Sequence, residues 1–99
     1  MVIIMKNQRS IVDELLDECD RQTSQYTGKD LEYAKEALEL SKLLQYDLGI
    51  FESHFRIARS MMSSGNNEDA IQHLDVCYSI AQTNEDKVRI ARTANSFGI

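Results

Sequence analysis

Proline and tryptophan are absent from the 99 residues, and glycine occurs only four times. With so few breakers and no strand-like alternation, the chain is expected to be all-helical. No apolar run approaches the ~18 residues that a membrane-spanning helix needs, so no membrane partner is expected. Cysteine is scarce too. Cys19 and Cys77 stand far apart in amphipathic stretches. Two such thiols without a secretory leader point to a reducing, cytoplasmic setting, although the sequence does not exclude a disulfide. The opening Met1-Val2-Ile3-Ile4-Met5 is apolar but too short for a signal peptide. It reads as a free end, a strap over a hydrophobic groove, or a cloning remnant.

Positive charge is also in short supply. Eleven Lys and Arg against 16 Asp and Glu give a formal charge of -5. Binders of phosphate backbones carry the opposite balance, so nucleic acid is not an expected partner. Residues 1–49 hold ten acids and six bases, and residues 50–99 hold six and five. The acidity therefore lies in the first half, where it favours solubility or a basic partner. No Gly-rich phosphate loop, nucleophile elbow, dinucleotide fingerprint or Ser/His/Asp order is present, and Gly28-Lys29 lacks the rest of a phosphate loop. Neither catalytic residues nor a cofactor are expected, and the chain does not read as an enzyme.

What is present is helical periodicity, clearest around Gly65-Asn66-Asn67. Ile50, His54, Ile57, Ala58 and Met61 recur on one face before this turn, and Ala70, Ile71, Leu74, Cys77, Tyr78 and Ala81 after it. Gly65 ends one helix cheaply in a left-handed residue. Asn66 or Asn67 can cap the next, with Glu68 and Asp69 in its first turn. The result is a helical hairpin, roughly Leu48 to Ser64 followed by Glu68 to Thr83. Upstream, Ser10 to Asp13 reads as a capping box opening an acidic helix that ends near Gln25, before Thr27-Gly28-Lys29. Asp30 reads as the cap of a helix running to about Gln45. Asn84 can cap a fifth helix carrying Val88, Ala91, Ala94 and Phe97, still apolar at Ile99 with no stop signal. About five helices are expected, with the chain truncated from something longer.

Displacing the sequence by forty residues pairs Leu31 with Ile71, Ala34 with Leu74, Ala37 with Cys77, Leu38 with Tyr78 and Leu40 with Ile80. The same step pairs Ile50 with Ile90, Ile57 with Phe97 and Ala58 with Gly98. One offset that matches two different helices points to a repeat. Through Ile57-Ala58, Met61, Gly65, Ala70, Leu74, Cys77 and Ile80, the chain resembles the tetratricopeptide repeat family, in its longer variety from bacterial regulatory proteins. The resemblance is good over residues 50–81, fair over 30–49 and 86–99, and poor over 1–29. His54 stands where that family often has an aromatic, Cys77 where it has Ala, and the closing Pro is missing.

The resemblance implies an α-α superhelix of antiparallel hairpins. Residues 1–29 would form an N-terminal segment with an acidic helix, and residues 30–99 the repeats. It implies a protein- or peptide-binding scaffold in a larger signalling protein. Alternatives are a stand-alone homodimerisation domain, or a peptide-sensing domain attached to a catalytic or DNA-binding one, as in bacterial peptide-sensing receptors and aspartyl-phosphate phosphatases. The expected binding face is Glu52, Phe55, Arg59 and Met62, continued by Arg92, Asn95 and Ile99. There an aromatic and a methionine supply apolar area and the arginines hold carboxylates. The competing reading packs Phe55 and Met62 against a neighbouring helix or a second copy. His54 reads as a packed residue rather than a ligand. His73 and Cys77, at i and i+4, form at most half a zinc site, and no metal is expected. The paired carboxylates Asp13/Asp17 and Glu14/Glu18 read as a solvated face, partly offset by Asp17 to Arg21.

Overall fold

A computed structural model describes the backbone of residues 2–97 and the side chains of residues 8–97. Five α-helices follow one another: α1 (Val2–Ser24), α2 (Asp30–Leu43), α3 (Asp47–Ser63), α4 (Asn67–Thr83) and α5 (Lys87–Phe97). The extensive packing is between chain neighbours, and α1 also reaches α3. The helices therefore form stacked hairpins, with α1, α3 and α5 in one layer and α2 and α4 in the other. The smallest dimension, 18 Å, is that of two helices at roughly 10 Å each.

The forty-residue step returns in the backbone. Tyr46 N–H donates to Ser41 C=O at 2.9 Å, and Asp86 N–H to Ala81 C=O at 2.9 Å. Likewise Leu44 bonds Leu40 and Asn84 bonds Ile80, both at 3.0 Å. Gln45 and Glu85 take the same left-handed conformation, φ 52° and 53°. These are helix exits of one design, closed by bonds running back over the last turn. The hairpin turns match at a step of thirty-nine, with Tyr26 at φ 54° where the second has Gly65 at φ 85°.

Three expectations are corrected. Ser10 does not open a helix, because nothing between Val2 and Ser10 breaks one and α1 runs straight through it. Asp30 is the first residue of α2 rather than its cap, which is Lys29 without a side-chain bond. Asn84 closes α4, its amide donating to Ile80 C=O at 2.9 Å, and Asp86 instead receives the Arg89 N–H of α5 at 3.1 Å. Asn66 does hold the cap position of α4, but its amide donates to Asp69 rather than accepting from the backbone. The apolar opening Met1 to Met5, Gly98 and Ile99 lie wholly or in their side chains outside the described residues.

Cys19 of α1, Ala34 and Leu38 of α2 and Ile57 of α3 form one buried cluster, so the core runs unbroken across the turn at residues 25–29. Further along, Phe51 packs with Cys77 and Ala81, and Ala58 with Ala70 and Leu74. Phe51 lies outside the face expected to be buried, yet it is 0% exposed. The cause is the central place of α3, which is covered on more than one side. Gly49 is also buried there, and a Cβ on it would collide with Ser41 Oγ and come within 2.7 Å of Tyr46 Cδ2 and 3.0 Å of Ser41 Cβ. The glycine sets how closely α3 approaches α2.

Candidate functional site

Side chains of opposite charge bridge α1 to α3 and α3 to α5, making one network across that layer. Asp20 on α1 accepts two bonds from Arg56, 2.9 and 3.0 Å, and one from Arg59 at 2.8 Å. One helical turn before Arg56, Glu52 accepts from it at 2.7 Å. Glu52 also accepts from Arg89 at 2.9 Å and from Arg92 at 2.9 and 3.4 Å. Both Glu52 oxygens are thus filled by guanidinium donors, close to the capacity of a carboxylate. Arg89 reaches on to Asp86 at 2.9 Å.

The electrostatics follow from these contacts. Burial pushes the Glu52 carboxyl upward, but hydrogen bonds from Arg92 and Arg56 outweigh it and hold the group below its ordinary value. Asp20 behaves alike, with burial opposed by Arg56 and Arg59. Burial alone would lower Arg56, yet bonds to Asp20 and Glu52 raise it, so the ion pairs stay charged. The Glu52 side chain is 14% exposed, whereas those of Asp20, Arg59 and Arg92 are 42%, 37% and 40% exposed. The network therefore has a sunken centre and a solvent-facing rim. Arg92 lies over the Phe55 ring at 4.6 Å, and Phe55 stacks on Phe51 at 5.8 Å. Cations over aromatic faces gain further attraction.

The structure brings Glu52, Phe55 and Arg92 together and joins Arg59 to them through Asp20 and Arg56. Met62 packs on the cluster of Ala58, Ala70 and Leu74, against which Phe55 and Phe97 also lie. Asn95 is exposed on α5. Phe55 is half-buried, sharing clusters with Ala81, Ile90 and Phe97. The sequence reading missed Asp20, Arg56 and Arg89. A signal for them existed: Glu52 and Arg92 are opposite charges one forty-residue step apart, and Asp20 and Arg59 one step of thirty-nine.

A second polar pair ties the α3/α4 hairpin. His54 Nδ1 and His73 Nδ1 lie 2.8 Å apart, with ring centres at 5.0 Å. Such a bond requires one ring to donate and the other to accept, hence at most one shared charge. Burial, then His73, then Lys42 bring His54 down to about 4. For His73 the lowering also starts with burial; Asp69 opposes it, and Lys35 and Lys42 add to it. Cys77 faces away from this pair toward Phe51 C=O at 3.5 Å, and burial pushes its thiol up to about 12. Among the described residues, no group of three or more His, Cys, Asp or Glu is placed to hold a metal ion. No described helix is long and apolar enough to cross a membrane.

Comparison with protein-family models, with curated proteins and with solved structures gave no match.

Proposed function

We propose that the chain is a tetratricopeptide-like scaffold that binds a protein or peptide on the face shared by α1, α3 and α5. The observation that carries this reading is the network around Glu52. Its centre is enclosed, but Asp20, Arg59 and Arg92 stand at the rim, each fixed by an ion pair and still open to solvent. Charged groups already held in place lose little freedom when a ligand arrives, and arginines so held suit carboxylates. The regular hairpin step supports the family reading, since stacked repeats present such a face. A homodimer built through Phe55 and Met62 is less well supported, because both residues already pack within the chain.

The test is selection of random peptides on the purified chain, followed by Kd measurement for any consensus. A consensus that binds below about 100 μM and weakens at least tenfold in Arg59→Glu and Arg92→Glu, each checked for native helicity, is the expected result. Selection without a consensus, or binding indifferent to both arginines, would refute this function.

A further inference from the structure

The α3/α4 hairpin holds both histidines of the chain against each other. Sequence spacing sets His73 beside Cys77, one turn further along α4. The fold instead turns Cys77 toward Phe51 C=O and brings His73 to His54 of α3. The nitrogens that meet are both Nδ1, 2.8 Å apart, with ring centres at 5.0 Å. His54 is 8% exposed and held by the packing around α3. His73 is only half-buried, so solvent reaches the pair from its side.

Two imidazole nitrogens facing one another from different helices are the donor set of a chelate. Neutral imidazole is the commonest metal ligand, and among divalent cations it suits zinc, copper and nickel. At metal–nitrogen distances of about 2.0–2.1 Å and near-tetrahedral angles, two ligand nitrogens stand about 3.3 Å apart. The pair lies within about half an ångström of that separation, and small turns of the two rings supply the rest. Their present hydrogen bond carries a proton on one Nδ1. Chelation needs both Nδ1 lone pairs, so that ring gives up its Nδ1 proton and takes one on Nε2, with no net release. One neutral hydrogen bond is exchanged for two metal–nitrogen bonds.

The surrounding charge sets the strength. Lys42 of α2 acts on both rings and Lys35 of α2 on His73, while Asp69 of α4 opposes them at His73. All three are exposed. Two ammonium groups against one carboxylate weaken the hold on a cation. Two protein ligands are also fewer than the three or four of catalytic and structural zinc sites. Such an ion exchanges with solution rather than staying permanently bound.

We infer that His54 and His73 together bind one divalent cation of the zinc, copper and nickel class through their Nδ1 atoms. Water fills the other positions, and the ion clamps α3 to α4. The inference does not rest on peptide binding at the Glu52 network.

Nitrogen NMR of the histidine side chains in the full chain, titrated with zinc chloride, tests this. Both Nδ1 resonances should move to the position of a metal-bound nitrogen, with both Nε2 protonated. Calorimetric titration should give one site per chain, weakened at least about tenfold in His73→Gln. Lys42→Glu, at an exposed position, replaces a repelling charge with an attracting one and should tighten binding about tenfold. A zinc-induced shift in one ring only, coordination through Nε2, or no saturable binding would overturn the inference. So would binding indifferent to His73→Gln or to Lys42→Glu, since the ion would then lie elsewhere.

Discussion

The two seams of α3, one toward α1 and α2 and the other toward α5, are built by different means. At the first, Gly49 lies against Ser41 with no room for a Cβ, and an apolar cluster from three helices closes the contact. One step later, Gly49 becomes Arg89 and Ser41 becomes Ala81. Arg89 cannot approach closely, so it extends to Glu52 and joins Arg92 over Phe51, at 5.5 and 5.7 Å from the ring. The first seam is held by proximity and the second by charge over an aromatic floor. Polarity also reverses: α3 offers arginines to Asp20 and an acid to Arg89 and Arg92. A repeat can therefore conserve its step while changing the forces that hold it, and the reversed charges fix which helix lies on which side.

Removing the acid at the second seam should have the largest effect. Glu52→Gln keeps the shape but removes the enclosed charge that Arg56, Arg89 and Arg92 share, a cost of about 3 kcal/mol. Asp20→Asn, at the more exposed first seam, should cost about 1 kcal/mol or less. Urea unfolding of both variants measures the difference, and equal losses would erase the distinction between the seams. Gly49→Ala attacks the first seam directly and should cost about 2 kcal/mol through overpacking against Ser41. Arg89→Ala, at the corresponding place, introduces no such clash, so a crystal structure of each variant should show α3 displaced from α2 only in the former.

The His54–His73 pair of the α3/α4 hairpin adds a contact that pH can break, unlike either seam. The unfolded chain takes a proton on His54 near 6.5, whereas the folded chain takes it only near 4. Acidification in that window therefore favours unfolding. The stability that the pair contributes is complete above 6.5 and falls by about 1.4 kcal/mol per pH unit on the way down. Unfolding at pH 7 and pH 5 should thus differ by about 2 kcal/mol, and by less than half of that in His54→Phe. A similarly small effect lies in the hairpin turns. Tyr26, 93% exposed, holds the left-handed place that Gly65 fills one step later. Tyr26→Gly should raise stability by about 1 kcal/mol, and Gly65→Ala should lower it by a similar amount, both read from thermal unfolding.

Much of the architecture was legible in the residues. Four of the five helices lie within two or three residues of where periodicity puts them, because apolar spacing, Gly65 and the acids after it all agree. The start of α1 was misread, since a capping pattern at Ser10 means nothing without a breaker before it. The exits through Gln45 and Glu85 carry no glycine to announce them, and hydrogen bonds back over the last turn of helix hold them instead. The candidate site was half legible. Glu52, Phe55, Arg59 and Arg92 stood out as one face, but a face is not a network. The pairing of Asp20 with Arg56 and Arg59 depends on how far α1 slides along α3, which only the packed core determines. Met62 and Phe55, grouped by helical angle, pack on one buried cluster of Ala58, Ala70 and Leu74.

The helices stack stepwise, each seam holding its own neighbour. Hydrogen exchange of the intact chain and of Glu52→Gln tests this most directly. In a stepwise stack, loss of the α5 clamp should raise exchange across Lys87–Phe97 while α1 and α2 keep their protection. Loss of protection to the same degree in all five helices, or no change in α5, would contradict it.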